Sequence, residues 1–477
     1  MVDYGKALKV SATPIPGLMV IDLPVHGDNR GWFKENWQRE KMVAAGLPDF
    51  GPVQNNVSFN ESAGTTRGIH AEPWDKYVSV ANGRIFGAWV DLRAGPTFGV
   101  VFTAELDASR AVFVPRGVGN SFQTLEPRTG YIYLVNDHWT PDAQYSAVNL
   151  ADETLAIDWP IALDDAELSA KDRDHPRLSD VSPLPARKTL VLGAGGQLGR
   201  ALREQYLDAS HVEFAERSEL DLAGDLSGAR RWRDYDAVIN AAAYTAVDAA
   251  ETAEGRAAAW ATNVTGVAEL ARIATMYGLT LVHISSDYVF DGAGDQPYRE
   301  EDPVAPLGVY GQTKAAGDQI VATVPCHYIV RTSWVIGGGR NFVQTMLSLA
   351  ERGIDPSVVD DQRGRLTFTS DISGAVRHLL ESDAPYGVYN VTGSGPIVSW
   401  ADIARRTFEL AGHDPDRVTG VSTADYFAGA ARPVAPRPSY SALALTKIEA
   451  TGFSPANADV HLRRYCETAA KWAEKLG

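Results

Sequence analysis

Gly193-Ala-Gly-Gly-Gln-Leu-Gly199 is the stretch that decides how this chain is organised. An apolar run, Thr189–Leu192, precedes it and predicts a strand; Leu198–Tyr206 follows with the period of a helix. A glycine turn between strand and helix lets a diphosphate approach the backbone, where the amides and dipole of the helix N-terminus hold it. Such a turn usually opens a dinucleotide-binding domain. Here it starts at residue 193 of 477, so a separate domain is expected ahead of it.

Beyond the turn the pattern alternates strand and helix. Val212–Ala215, Ala237–Ala242 and Leu279–Ser285 read as strands, and Glu251–Tyr277 as mostly alanine-rich helix. That alternation predicts an α/β Rossmann-type doubly wound parallel sheet over 189–477. Before the turn the chain is different. Short alternating segments, Val100–Leu106, Ala111–Val114 and Gly130–Val135 among them, are broken by Gly, Pro and Asn, which predicts a β-sandwich or barrel over 1–180. Asn82-Gly83 predicts a hairpin joining Tyr77–Ala81 to Arg84–Val90. Residues 181–188, with Pro183 and Pro185, read as a linker.

Bulk composition narrows the function. A chain of 477 residues with 45% hydrophobic and 22% charged residues is multidomain and globular. It contains no long apolar run for a membrane span, and Met1-Val-Asp-Tyr-Gly-Lys6 leads into no signal-peptide core. Only two cysteines, Cys326 and Cys466, argue against a disulfide framework, so a cytoplasmic location is expected. A net charge of −16 disfavours nucleic acid and anionic membranes as partners. A small anionic ligand would need arginines placed locally.

Three motifs follow the glycine turn in order. Asn240-Ala-Ala-Ala-Tyr-Thr245 ends a strand with small residues that let a cofactor approach. His283-Ile-Ser-Ser-Asp-Tyr-Val-Phe290 ends another with a polar cluster. Tyr310-Gly-Gln-Thr-Lys314 puts a phenol and an ammonium on one helix face. The ammonium is expected to lower the phenol's pKa, so that Tyr310 exchanges a proton with a ketone oxygen while a nicotinamide delivers hydride and Ser286 holds the carbonyl. The second strand ends at Ala215-Glu-Arg-Ser218. The acid suits a ribose hydroxyl and Arg217 a 2′-phosphate, so NADPH is expected, with NADH tolerated. In the first half His26, His70, His138 and His175 stand apart in sequence, and no metal site is expected.

The second half resembles the extended short-chain dehydrogenase/reductases and, more narrowly, the dTDP-4-dehydrorhamnose reductases. The match lies in Gly196-Gln-Leu-Gly199, Asn240–Asp248, Ser285-Ser-Asp-Tyr-Val-Phe290, Arg331-Thr-Ser-Trp334, Asn341-Phe342, Asp361-Gln362 and Arg437-Pro-Ser-Tyr-Ser441. The resemblance implies a small substrate-binding subdomain and a catalytic trio of Ser286, Tyr310 and Lys314. It implies cofactor contacts from Gly193, Gly196, Gln197, Leu198, Gly199, Asp221, Leu222, Ala241, Ala242, Ala243, Tyr310 and Lys314. It places Val247, Trp334, Asn341 and Arg437 near the sugar nucleotide. Two positions depart from the family: Leu366 stands where proline is usual, and Ala201 replaces a glutamate that in some members helps a metal bridge a dimer.

The first half is similar to the dTDP-4-dehydrorhamnose 3,5-epimerases, an all-β cupin-like jelly-roll family. Asn29-Arg-Gly-Trp-Phe-Lys-Glu35, Gln54-Asn-Asn-Val-Ser58, Arg67-Gly-Ile-His70, Pro96-Thr-Phe-Gly99, Val114-Pro-Arg-Gly117, Trp159-Pro160 and Leu168-Ser-Ala-Lys-Asp-Arg173 carry the match. The resemblance implies His70 as base, Asp172 as its orienting carboxylate, Tyr133 as the acid on the opposite face, and Lys76 beside the developing enolate. It implies Arg30 and Arg67 on the diphosphate, Glu35, Gln54 and Asn56 on the nucleoside, Trp139 stacked on the base, and a homodimer through this half. Gly87 and Asn120 replace a polar pair usual in the family. The expected function is therefore bifunctional: epimerisation at C3 and C5 of a dTDP-4-keto-6-deoxy sugar, then reduction at C4. An alternative keeps the reductase and leaves the β-half a degenerate dimerising or ligand-binding domain; a redox-sensing regulator is a third reading, opposed by the intact trio.

Overall fold

The computed structural model describes residues 4–138, 145–382 and 384–476. The chain folds as two compact units, Met1–Ala186 and Arg187–Gly477.

The first unit is built from two antiparallel sheets. One runs in the order β1 (Lys9–Ala12), β2 (Met19–Asp22), β10 (Arg110–Val114), β7 (Lys76–Asn82), β12 (Thr129–Val135), β5 (Gln54–Asn60). The other runs β13 (Ser146–Ala147), β6 (Thr66–Ala71), β11 (Val118–Thr124), β8 (Ile85–Asp91), β9 (Val101–Leu106). A small hairpin of β3 (Val25–Asp28) and β4 (Gly31–Lys34) stands apart from both. Between the sheets lies a core including Val78, Val80, Trp89, Phe122 and Tyr131. Full burial of such side chains contributes about 1.5–3 kcal/mol each. The outer face of the first sheet is covered as well: α1 (Arg39–Ala44) brings Met42 against Ile21, Tyr77 and Phe113.

The hairpin expected at Asn82-Gly83 is corrected by this arrangement. Gly83 does turn the chain at φ +81°, but β7 pairs with β10 and β12 whereas β8 pairs with β11 and β9. The turn carries the chain from one sheet to the other. Turn chemistry is local; which sheet the next strand joins is decided by the faces it must bury.

The second unit holds a parallel six-stranded sheet. Its order is β15 (Val212–Ala215), β14 (Lys188–Leu192), β16 (Tyr235–Asn240), β17 (Thr280–Ser286), β18 (His327–Thr332) and the strand Gly387–Asn390. Apolar cores cover both faces. One packs α5 (Val267–Tyr277) against the sheet; the other packs α3 (Gln197–Gln205) and the helix Thr369–Glu381. The order reverses at β14, so a crevice opens at the strand ends between β14 and β16, where doubly wound sheets bind ligands. Three two-stranded ladders and the helices Phe342–Glu351 and Trp400–Leu410 make a smaller layer beside it. Leu366 is buried there among Ile336, Val343 and Phe368.

The helix expected over Glu251–Tyr277 is interrupted. α4 (Ala253–Trp260) passes into a π-helical turn, Ala261–Gly266, before α5. Asn263 in that turn accepts from Tyr244 N at 2.9 Å and donates to Tyr244 O at 3.1 Å and Thr313 Oγ1 at 3.0 Å. The extra residue in the turn aims this amide at the loop after β16, a common use of π-bulges.

Candidate active sites

The glycine turn is shaped for close approach. Gly193 sits at φ +76°, and a Cβ there would lie 2.8 Å from Ala242 N. A Cβ on Gly199 would lie 2.3 Å from Gly193 O, so α3 packs directly on the turn. Two adjoining cavities of about 430 Å³ and 630 Å³ share Gly196 and Ala241–Ala243 as walls. One extends past Glu216, Arg217, Asp221 and Leu222; the other extends past Gln197, Leu198, Ser286, Tyr310 and Lys314. A long cleft crossing the switch point, with a polar end at each side, fits a dinucleotide. Arg217, highly exposed, is paired with Asp221 at 3.2 Å.

The strand β17 and the helix α6 (Val309–Val321) position the reacting groups. Ser286 is buried, donates its hydroxyl to Asp287 Oδ1 at 2.9 Å and accepts from Tyr288 N at 3.2 Å. Burial pushes the Asp287 carboxyl up to about 6, against its hydrogen bonds from Ser441 and Ser286. Lys314, 1% exposed, donates to Ile284 O at 2.7 Å and meets His283 Nε2 at 3.2 Å. Burial brings its ammonium down to about 8, opposed by Asp318.

Tyr310 departs from expectation. Its pKa is raised, first by burial and then by the charge of Asp287, against the Ser286 hydrogen bond, which lowers it. The side chain is half-buried where it lines the cleft, and that burial is the larger influence on the phenol. The lysine ammonium points to the His283 ring and the Ile284 carbonyl, so it does not offset that desolvation.

Among the residues expected near a sugar nucleotide, Val247 and Trp334 line the cleft. Trp334 adopts φ +46° and stacks on Trp400 at 4.0 Å. Asn341 is committed elsewhere: it caps Phe342–Glu351 and donates to Gly337 O at 2.8 Å and Tyr465 OH at 2.7 Å. Arg437 is held by both oxygens of Asp248, at 2.7 and 2.8 Å.

In the first unit a cavity of about 330 Å³ opens between the two sheets. His70 on β6 and Asp172 on α2 (Ala170–Arg173) stand on one side, Lys76 on β7 and Tyr133 on β12 on the other, and Arg67 also lines it. His70 Nε2 meets Asp172 Oδ1 at 3.0 Å. Burial alone would raise the Asp172 carboxyl, but the hydrogen bond and charge of His70, with His175 and the Gly68 amide, hold it below its ordinary value. The Tyr133 phenol is raised by burial and by Glu72, with Arg67 opposing. Gln54 and Asn56 bond each other at 2.9 Å on the same strand face as the lining residue Ser58. Arg30 and Glu35 are outside this cavity and exposed, paired with Asp28 and Lys41 respectively. Trp139 lies outside the described residues.

The substituted polar pair has been repacked. A Cβ on Gly87 would lie 2.3 Å from the Trp89 ring, so the indole occupies that space. Trp89 Nε1 donates to Asn120 Oδ1 at 2.9 Å, and the Tyr131 hydroxyl donates to the same oxygen at 3.2 Å. This neutral cluster leaves the His70–Asp172 pair intact.

Two residues stand out that motif reading passed over, Glu72 and Asp318, and a third, His175, reads as isolated in the sequence. Glu72 lines the cavity and forms an ion pair with Lys76; it lies two residues from His70 and four from Lys76, a usable signal. Asp318, one helical turn past Lys314, is buried and paired with Arg331 at 3.1 Å. His175 corrects the reading of isolated histidines: the chain's return after α2 brings its ring edge-on to His70, centroids 5.1 Å apart.

Comparison with known proteins agrees with this division. Residues 187–470 match the model described as RmlD substrate binding domain, and residues 12–180 match that of dTDP-4-dehydrorhamnose 3,5-epimerase. A Streptococcus pyogenes protein, "Protein RmlC homolog", is 55% identical over 177 residues, 36% of this chain and 89% of that protein. The dTDP-4-dehydrorhamnose reductase structure from Clostridium acetobutylicum is 36% identical, covers 59% of this chain and 99% of its own, and superposes with a TM-score of 0.55. That of the Bacillus anthracis reductase in complex with NADP is 30% identical, covers 60% and 99%, and has a TM-score of 0.53. The chain belongs to the RmlD family of dTDP-4-dehydrorhamnose reductases through its second unit, and to the dTDP-4-dehydrorhamnose 3,5-epimerases through its first.

Proposed function

We propose that the chain performs two consecutive steps in making dTDP-L-rhamnose. The first unit epimerises dTDP-4-dehydro-6-deoxy-D-glucose at C3 and C5, and the second reduces the C4 ketone of the product. The observation that carries this is the presence, in one chain, of a His70–Asp172 pair facing Lys76 and Tyr133, and of Ser286, Tyr310 and Lys314 lining one cleft.

In the first site the C3 and C5 protons are acidified by the neighbouring ketone. His70 removes them in turn, its imidazolium stabilised by Asp172. Lys76 is placed to stabilise the enolate oxygen. Tyr133, on the opposite sheet, returns the proton to the other face, which inverts each centre. Arg67 binds the diphosphate and Gln54 and Asn56 face the nucleoside, whereas Arg30 and Glu35, outside the cavity and paired with Asp28 and Lys41, have no place against this substrate.

In the second site NADPH, when bound, would supply the hydride for C4. Ser286 orients the ketone, Tyr310 gives its hydroxyl proton to the oxygen, and Lys314 supports the charge this leaves. The glycine turn and Ala241–Ala243 hold the dinucleotide. Arg217 at the rim favours a 2′-phosphate while Glu216 leaves NADH acceptable, which paired KM measurements for the two reductants check. Because burial brings the Lys314 ammonium down to about 8, the charged form predominates below that pH and is lost as pH rises through it. The reduction kcat is accordingly expected to fall as pH rises through about 8; a flat profile to pH 10 or so excludes Lys314 as the titrating support.

A homodimer through the first unit is proposed as well. The edge strand β5 leaves Val57 67% and Phe59 50% exposed, an apolar row that a second copy would cover, and sedimentation of the intact chain reads it. The deciding experiment supplies the 4-keto-6-deoxy-D-glucose nucleotide with NADPH and identifies the product. L-rhamnose configuration requires both sites, whereas a C4-reduced sugar without inversion leaves only the reductase.

A further inference from the structure

We propose that His70, Asp172 and His175 form a binding site for one divalent transition metal of the Zn²⁺ class, and that its occupation stops epimerisation. This deepens the reading of the first site given above, and rests on it for the inhibitory effect alone.

The geometry is nearly that of a three-ligand centre. Asp172 Oδ1 lies 3.0 Å from His70 Nε2 and 3.8 Å from His175 Nε2. One ligand atom from each residue falls within 4.8 Å of the others. Bonds of about 2.0–2.2 Å in a tetrahedron place ligand atoms roughly 3.3 Å apart. Closing the set therefore asks for a shift of about an ångström, mostly of the His175 ring.

A second observation points to a ligand. The His175 side chain is 7% exposed, and among the described residues neither of its ring nitrogens has a hydrogen-bond partner of good geometry. A buried polar atom left unpaired is costly, and coordination would satisfy it. The nearby carboxylate supplies the compensating charge. Two imidazoles with one carboxylate suit Zn²⁺ or Co²⁺ and discriminate against Mg²⁺ and Ca²⁺, which prefer all-oxygen sets. His70 is 35% exposed toward the cavity, so an ion reaches the cluster from the substrate side.

Occupation and catalysis compete for the same atoms. A metal on His70 Nε2 takes the place of the hydrogen bond to Asp172. Nδ1 is then left on a ring that cannot become imidazolium, and His70 no longer serves as a base.

The test uses the full, untagged chain, with Co²⁺ as the spectroscopic probe. Expected is the visible absorption of tetrahedral Co²⁺ saturating at one equivalent and bleached by Zn²⁺. Stoichiometric Zn²⁺ should cut solvent deuterium exchange into the sugar at least tenfold, with EDTA restoring it and reduction of the already epimerised ketone unaffected. His175→Phe and His175→Gln, each checked for folding by circular dichroism, should weaken Co²⁺ binding at least 100-fold. A wild-type chain without the tetrahedral spectrum, or a spectrum that both variants retain, overturns the proposal. The Co²⁺ titration needs no turnover, so it reads the metal site even if exchange itself is absent.

Discussion

Tyr310→Phe is expected to lower kcat for reduction of the 4-keto sugar by about 10²–10⁴-fold, the usual contribution of a positioned general acid, with NADPH affinity changed only a few-fold. The substitution removes one hydroxyl and little else. The ring lines the cleft and packs edge-on against Tyr288, centroids 5.5 Å apart, contacts that phenylalanine keeps. What is lost is the proton for the C4 oxygen. Burial and the charge of Asp287 keep the phenol protonated, which suits a donor in the reducing direction. Lys314→Ala makes the informative contrast, because that side chain also binds the cofactor on this reading and should raise the NADPH KM together with lowering kcat. Pre-steady-state absorbance at the nicotinamide band separates the two variants. Unchanged turnover in Tyr310→Phe would remove the tyrosine from the mechanism and, with it, the purpose proposed for the Tyr-x-x-x-Lys spacing.

The two halves differ in how much of them their sequences disclose. In the second unit, helix and strand periods are each read from one stretch of chain, and Val212–Ala215 forms the strand its residues predict. The interrupted helix is the exception. Its π-turn depends on Asn263 reaching Tyr244 and Thr313, partners that no local pattern contains. In the first unit β7 is buried on both faces over Lys76–Val80, because α1 covers the side the other sheet does not. Alternation therefore fades where the sandwich is deepest, and Asn82-Gly83 signals a turn without revealing that the chain changes sheets. Site residues follow the same logic. Ser286, Tyr310 and Lys314 are visible as motifs because adjacent elements deliver them. His175 meets His70 only through packing across 105 residues of chain, so spacing rules for metal or catalytic histidines had nothing to act on. Gly87 is a related case. Its absent side chain reads as a lost polar group, and only the Trp89 ring filling that space shows a compensated exchange.

His70→Asn should abolish deuterium incorporation at C3 and C5, a fall of about 10²–10⁴-fold, while the second unit still reduces an already epimerised ketone at the wild-type rate. The separation follows from the chain's construction, since His70 belongs to one compact unit and Tyr310 to the other. Asp172→Asn tests the partnership. An amide still occupies the place of Oδ1, 3.0 Å from the imidazole, but it carries no charge to stabilise the imidazolium, so exchange should fall less than in His70→Asn and its pH profile should change. Tyr133→Phe then distinguishes base from acid. His70 and Tyr133 stand on different sheets across the cavity, so a variant without the phenol can still lose and regain a proton on the His70 side. Deuterium would enter with retained configuration, and exchange would outpace inversion. Equal loss of exchange and inversion in Tyr133→Phe would instead place the tyrosine in the deprotonation step. The opposed-wall mechanism would then have to give way to one in which both proton transfers occur on a single face.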